Sequence, residues 1–186
     1  MVRLANQEKR IARAGAEIVA LSVDSPERSA ALARRWRLPF KVATDPGGEA
    51  VLQPLELWNA DERGGIALPA LLVISPRGRE LVRETSRDFA DRVHDDDVLE
   101  DLESEDLPAI DVPAPWSPQV AIPDEDSDAL SGAFSPQAFV PLMNGNRFGA
   151  IALAQRIEHA ESRHEIKRHA AMAKSFLDAW KERRQA

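Results

Sequence analysis

Between residues 88 and 128 the chain carries fifteen Asp and Glu against a single base, Arg92, and five prolines stand between Pro108 and Pro123. Each proline removes a backbone donor and restricts the residue before it, so this stretch cannot be a continuous helix or a central strand. Its like charges favour an extended, solvated path. It therefore divides the chain into a mixed N-terminal domain over 1–106, an acidic Pro-rich linker over 107–133 and a helical extension over 134–186. The flanks are basic. Residues 1–43 hold nine bases and four acids, and residues 147–184 hold nine bases and five acids. A clasp between linker and basic tail is conceivable electrostatically, but a solvated acidic loop explains the same residues. The whole chain sums to −7, which argues against general binding to nucleic acid or to anionic membranes. The polar start, Met1 to Arg10, has no secretory apolar stretch, and no run of about 18 apolar residues occurs. A cytoplasmic location is the expectation. The chain has no cysteine, so disulfides, thiolate metal sites and thiol nucleophiles are all excluded from its 186 residues.

Local patterns give a coarse element order. Residues 4–14 read as a helix with Leu4, Ile11 and Ala14 on one face, no residue to cap its start, and Gly15 as its stop. Ala16 to Val23 is a near-continuous, β-branched apolar run, the pattern of a strand buried on both faces. Asp24-Ser-Pro-Glu27 supplies a cap and a first-turn proline for a helix reaching Trp36, which buries Ala30, Leu32, Ala33 and Trp36. A short strand over 40–44, a turn at Asp45-Pro-Gly-Gly48, a short helix near 48–54 and a loop over 59–68 follow. Pro69 to Ile74 reads as a second buried strand, Ser75-Pro-Arg-Gly78 as a type I turn, and Arg79 to Thr85 as its antiparallel partner. A closing helix runs from Asp95 to Glu103. The order predicts an α/β fold, a mixed central sheet with flanking crossover helices.

Ala20-Leu-Ser-Val-Asp-Ser-Pro-Glu27, Leu38-Pro-Phe40, Asp45-Pro-Gly-Gly-Glu49, Gly65-Ile-Ala-Leu-Pro-Ala-Leu-Leu-Val-Ile74 and Arg77-Gly78 follow in the order and spacing of the redoxins. Arg87-Asp-Phe-Ala-Asp-Arg92 with the acidic helix after it is similar to the end of such domains. Over residues 1 to about 105 the chain resembles the peroxiredoxin-like, alkyl hydroperoxide reductase/thiol-specific antioxidant members of the thioredoxin fold. The last eighty residues fall outside the resemblance. It implies a thioredoxin-like sandwich that lacks its first strand, and a family activity of thiol-dependent peroxide or disulfide reduction. It also implies that the first strand, the reactive cysteine and the turn capping its helix lie upstream of Met1.

The departures weigh as much as the matches. By the resemblance, Leu68 stands where an arginine often precedes the strand, Leu71 where a small polar residue is common, and Ser75 where an acid marks the following turn. Pro69 is the one functional position retained. The resemblance implies that it is cis and that Leu68, Pro69 and Ala70 line a substrate groove, the neighbouring backbone pairing with an extended substrate. A proline opening any strand is the plainer reading of the same residue.

Other constellations carry less. His159, His164 and His169 recur at i, i+5, so on a helix successive rings diverge by roughly 140° and do not converge on one metal. Asp95-Asp-Asp97 is explained by the dipole at its helix start and lacks the calcium-loop pattern. Gly47-Gly48 and Gly64-Gly65 are turn glycines without a nucleotide-binding spacing, and no G-x-S-x-G occurs. No cofactor and no metal are expected. From Phe148 to Arg184 the periodicity is helical and amphipathic. Ser135-Pro136 opens a short helix before it, and Asn144-Gly-Asn146 is the expected turn between the two. Two functions follow. One is a redoxin domain whose catalytic half lies outside these residues, by a start codon placed too far downstream, or is lost. The alternative is a non-catalytic pseudo-redoxin that binds a protein through the Pro69 edge or associates, with a partner or with itself, through the C-terminal helices.

Overall fold

The computed structural model describes residues 1–62, 64–86, 95–124 and 136–185. The Arg87–Arg92 motif, Ser135 and the linker from 125 to 133 lie outside the described residues. The chain forms two compact units, one holding Arg3–Ser131 and the other Gly132–Ala186.

The first unit opens with two short helices, α1 (Val2–Asn6) and α2 (Glu8–Arg13), where one helix over 4–14 was expected. Gln7 donates to Leu4 O, three residues back, and this tightened turn separates them. Gly15 ends α2 at φ +81, the left-handed stop its residue type allows. Strand β1 (Val19–Ser22) pairs in parallel with β2 (Lys41–Thr44), and α3 (Pro26–Arg35) crosses between them. Ser25 caps α3, its side chain accepting from Arg28 N–H. Ala30 and Ala33 are buried, and Ala33 joins Ala5, Leu38, Phe40 and Val42 in one apolar cluster. Leu32 and Trp36, expected inside, are half-buried.

Residues 48–56 are a series of turns, not the helix expected near 48–54. Gln53, Leu55 and Glu56 donate to Gly48, Val51 and Gln53 respectively, at spacings of five, four and three residues. Pro54 cannot donate at all, so no regular ladder propagates. The expected loop over 59–68 contains a small hairpin, β3 (Trp58–Asn59) against β4 (Ile66–Ala67). Strand β5 (Ala70–Ile74) pairs antiparallel with β6 (Glu80–Thr85) through the Ser75–Gly78 turn, where Gly78 N–H donates to Ser75 O at 2.9 Å. Helix α4 (Asp95–Ser104) begins with three aspartates, as its sequence required.

The strands differ from expectation in burial. Val19 is 57% exposed, Ile74 is 51% exposed, and the rest of β1 and β5 is half-buried. The cause lies in the pairing. Among the described residues β1 bonds to β2 alone and β5 to β6 alone, so neither is the centre of a continuous sheet. Both rest on the same support, because Ile18 and Val73 pack against the cluster of Ile11, Leu99 and Leu102 from α2 and α4. Beyond α4 the chain runs without regular structure yet is pinned. Ile110 N–H donates to Ala12 O at 2.9 Å, Trp116 N–H donates to Pro39 O at 3.2 Å, and Trp116 packs beside the Phe40 cluster.

The second unit is a helical pair, α5 (Pro136–Ala154) and α6 (Ala160–Gln185). The expected turn at Asn144-Gly-Asn146 is inside α5. The bend comes at 155–159, where Arg163 binds the carbonyls of Ile157 and Glu158. Gly145 costs a helix about 1 kcal/mol against Ala. The burial of Met143, Ala150 and Ala154, with Met172, Ala173 and Leu177 buried on α6, outweighs that local preference. Phe139 stacks on Trp180 with ring centroids 6.3 Å apart.

Candidate functional site

Leu68, Pro69 and Ala70 carry the chain from the β3–β4 hairpin into β5. Leu68 N–H donates to Leu57 O at 2.9 Å, Pro69 O accepts from Ser86 N–H at 2.8 Å, and Ala70 stands opposite Thr85. All three residues are half-buried. No peptide bond among the described residues is cis, so the cis form expected before Pro69 is corrected to trans. Trans is the default by about 0.5–1 kcal/mol. The two backbone bonds on either side of the ring hold an extended path that the trans form supplies. The three side chains are apolar and bring no acid, base, nucleophile or metal ligand. Leu71 faces Glu84 across the ladder, and Ser75 Oγ is occupied in its own turn, accepting from Arg79 N–H at 3.0 Å. This segment can offer backbone and apolar surface, and nothing that moves electrons or protons.

The adjoining hairpin is held by contacts that the sequence reading missed. Trp58, opposite Ala67, lays its indole across two glycines. A β-carbon on Gly48 would stand 2.3 Å from Trp58 Cε3, and one on Gly65 would stand 2.1 Å from Cζ2. Both glycines have positive φ, +71 and +116. The buried Asp45 carboxylate gathers the loop between them, accepting from Ala50, Val51 and Leu52 N–H at 3.3, 2.8 and 3.0 Å. These bonds, that of Leu52 foremost, hold its carboxyl below the usual carboxylate range. The Asp-Pro-Gly-Gly string was the available signal, since aspartate in that position binds backbone N–H groups ahead of it.

A groove of about 400 Å³ is lined by Ile11, Ile18, Phe40 and Trp116, with Glu8, Glu17 and Lys41 supplying charge. Among the described residues no three His, Asp or Glu gather to hold a metal ion. His159 instead caps α6, its Nδ1 accepting from Ser162 N–H at 3.3 Å. Among the described residues no helix is long and apolar enough to cross a membrane.

Comparison with known families matches residues 1–80 to the model of the AhpC/TSA family. The match covers 80 of 186 residues and takes in β1, α3, β2, the Trp58 hairpin, β5 and the segment Leu68–Ala70. No curated protein matches the chain.

Proposed function

We propose that this chain, whose residues 1–80 match the AhpC/TSA family model, provides the scaffold of thiol-dependent peroxide or disulfide reduction without providing the thiol. One observation carries the reading: the 186 residues include no cysteine. The family chemistry starts with a thiolate attacking a peroxide or disulfide, and neither hydroxyl nor imidazole replaces it there. The thiol therefore comes from sequence outside these residues, or the chain does no redox chemistry. The thioredoxin-like sandwich is the architecture in which the pieces make sense. The parallel β1–α3–β2 crossover and the β5–β6 hairpin both lean on α2 and α4, and an extended strand between β1 and β5 would join them into one mixed sheet. In this reading residues 1–106 are the redoxin domain, 107–133 the linker and 134–186 a separate helical extension, and the protein acts in the cytoplasm.

A second reading has its own observation. Each of β1 and β5 has a partner on one edge alone among the described residues, and such edges accept an extended backbone from another protein. In that case Leu68, Pro69 and Ala70 border a peptide-binding edge of a non-catalytic pseudo-redoxin, and the helical pair serves association with a partner or a second copy. Turnover of hydrogen peroxide and of a small disulfide by the purified 186-residue chain, with a dithiol as reductant, tests the first statement. The expected rate equals that of buffer. Turnover that survives metal removal and repurification would overturn it. Activity gained when an in-frame upstream segment with a cysteine is added would favour the scaffold reading over the pseudo-redoxin.

A further inference from the structure

The C-terminal end of α3 is basic and open to solvent. Residues 28–44 hold five bases and no acid. Arg34, Arg35 and Arg37 are exposed at its last turn, exposed Lys41 opens β2 just beyond, and Trp36 stands half-buried among them. The helix closes in the two-bond pattern that usually turns on a glycine. Leu38 N–H donates to Ala33 O at 2.9 Å, and Arg37 N–H donates to Arg34 O at 3.1 Å. The left-handed residue of this turn is Arg37, at φ +47, a conformation that glycine takes freely and a side chain resists. The backbone does not ask for arginine there.

Helix α4 ends with the opposite charge. Residues 95–106 hold eight acids and no base. Asp101, Glu103, Glu105 and Asp106 are exposed at its C-terminal end, and its last turn contains no base. The unpaired carbonyls at a helix C-terminus disfavour carboxylates. Asp106, just past the helix, also stands in the left-handed region, at φ +48. Arg10 answers Glu103, while Asp101, Glu105 and Asp106 face solvent.

We infer that the arginine-rich end of α3 docks on the acidic end of α4 in a second copy of this chain. The inference is independent of the redoxin reading and of the association proposed for the helical pair, since both surfaces lie in the first unit. Charge complementarity selects the occupant. Arg34, Arg35, Arg37 and Lys41 meet Asp101, Glu105 and Asp106, and a planar guanidinium holds a carboxylate through two parallel hydrogen bonds. A copy answers two features at once, the arginines that α3 keeps at a glycine-like turn and the acids that α4 gathers at an unfavourable end. A polyanion would answer only the first. Trp36 beside the arginines and Leu107, 37% exposed after Asp106, add apolar contact. Tryptophan and arginine are the residue types that dominate binding at protein interfaces.

Exposed ion pairs are individually weak, so this contact belongs in the micromolar range and follows salt. Sedimentation velocity on the full chain at roughly 1–200 μM tests it. The measurement is made in about 0.01 M and about 1 M sodium chloride, where charges act over about 30 Å and about 3 Å. The wild type should self-associate in the first and be monomeric in the second. Arg34→Glu with Arg35→Glu should weaken association at least about tenfold, and so should Asp101→Lys with Glu105→Lys. The two variants mixed in equal amounts should associate again, because each offers the charge that the other lacks. That recovery separates a charged contact from a folding defect, and far-UV circular dichroism checks that each variant keeps its helices. A mixture no better than its components would overturn the inference. So would association that persists in about 1 M salt. A wild type that stays monomeric in low salt would overturn it too, whether or not Arg34 and Arg35 then bind a polyanion.

Discussion

The indole of Trp58 occupies the space where a side chain at Gly65 would be, 2.1 Å from the nearest ring carbon to an ideal β-carbon. Gly48 closes on the same ring from another side. Two residues seventeen positions apart are thus glycine for one reason, and the β3–β4 hairpin that precedes Leu68–Ala70 depends on both. Gly65→Ala should destabilise the chain by about 2–4 kcal/mol, combining steric conflict with a φ of +116 that side chains avoid. Gly64→Ala, at φ +79 with open space around it, should cost about 1–2 kcal/mol. Urea unfolding of the two variants measures the difference. Equal losses would remove Trp58 as the cause.

Asp45 ties stability to acid. Its folded pKa lies below its unfolded value because three backbone N–H groups bind the ionised form. Its contribution is therefore complete above the unfolded pKa of about 3.9 and is lost as pH falls through the lower, folded one. Asp45→Ala should lower Tm at neutral pH. It should also flatten the decline below about pH 4, as a series of melting curves would show.

Asp95 acts in the opposite direction. Burial raises its pKa, and this outweighs the opposing pull of Arg3, which pairs with both Asp95 and Asp96. A carboxyl with a raised folded pKa makes its ionisation unfavourable in the folded chain, so stability is regained as pH falls through that value. The wild type should therefore gain stability relative to Asp95→Asn as pH drops from neutral toward about 4. A difference independent of pH would sink the assignment.

Ser25→Ala should cost about 1 kcal/mol, the usual worth of a helix N-cap, through the loss of the Ser25 Oγ to Arg28 N–H bond. Equilibrium unfolding measures it. Hydrogen exchange should show faster opening confined to the first turn of α3, and uniform acceleration would contradict a capping role.

Leu68→Arg should leave the 186-residue chain as inactive toward hydrogen peroxide as the wild type, because a positive charge polarises a peroxide to no effect without a thiolate. A rate gained by this substitution alone would mean that chemistry other than the family's operates here.

What could be read from the sequence was whatever a few neighbouring residues decide among themselves. Ser25 caps α3, Gly15 stops α2, Gly78 closes its turn and three aspartates open α4, each through local chemistry. The misreadings share a different cause. Asn144-Gly-Asn146 has turn composition, yet packing against α6 holds it helical. Residues 48–54 have helical content, yet Asp45 takes three of their N–H groups and Pro54 interrupts the rest. Pro69 was assigned its cis bond by resemblance, and no residue near it in sequence bears on the isomer. Leu68 to Ala70 are legible in the sequence as the entry to β5, while the Trp58 cradle and the Trp116 contact depend on partners far away along the chain.

Consider the order in which this chain is made. Arg10 joins Glu103 across 93 residues by two hydrogen bonds of 2.6 and 2.7 Å, and Ala12 receives Ile110. Helices α1 and α2 thus meet their partners only after about a hundred more residues have followed them out of the ribosome. At 5–20 residues per second that is a delay of roughly 5–20 s, during which Ile11 and Leu4 have no cover from α4. Nascent-chain chaperones that bind short apolar segments have their opportunity then, and folding of the first unit is gated by elongation through the acidic stretch.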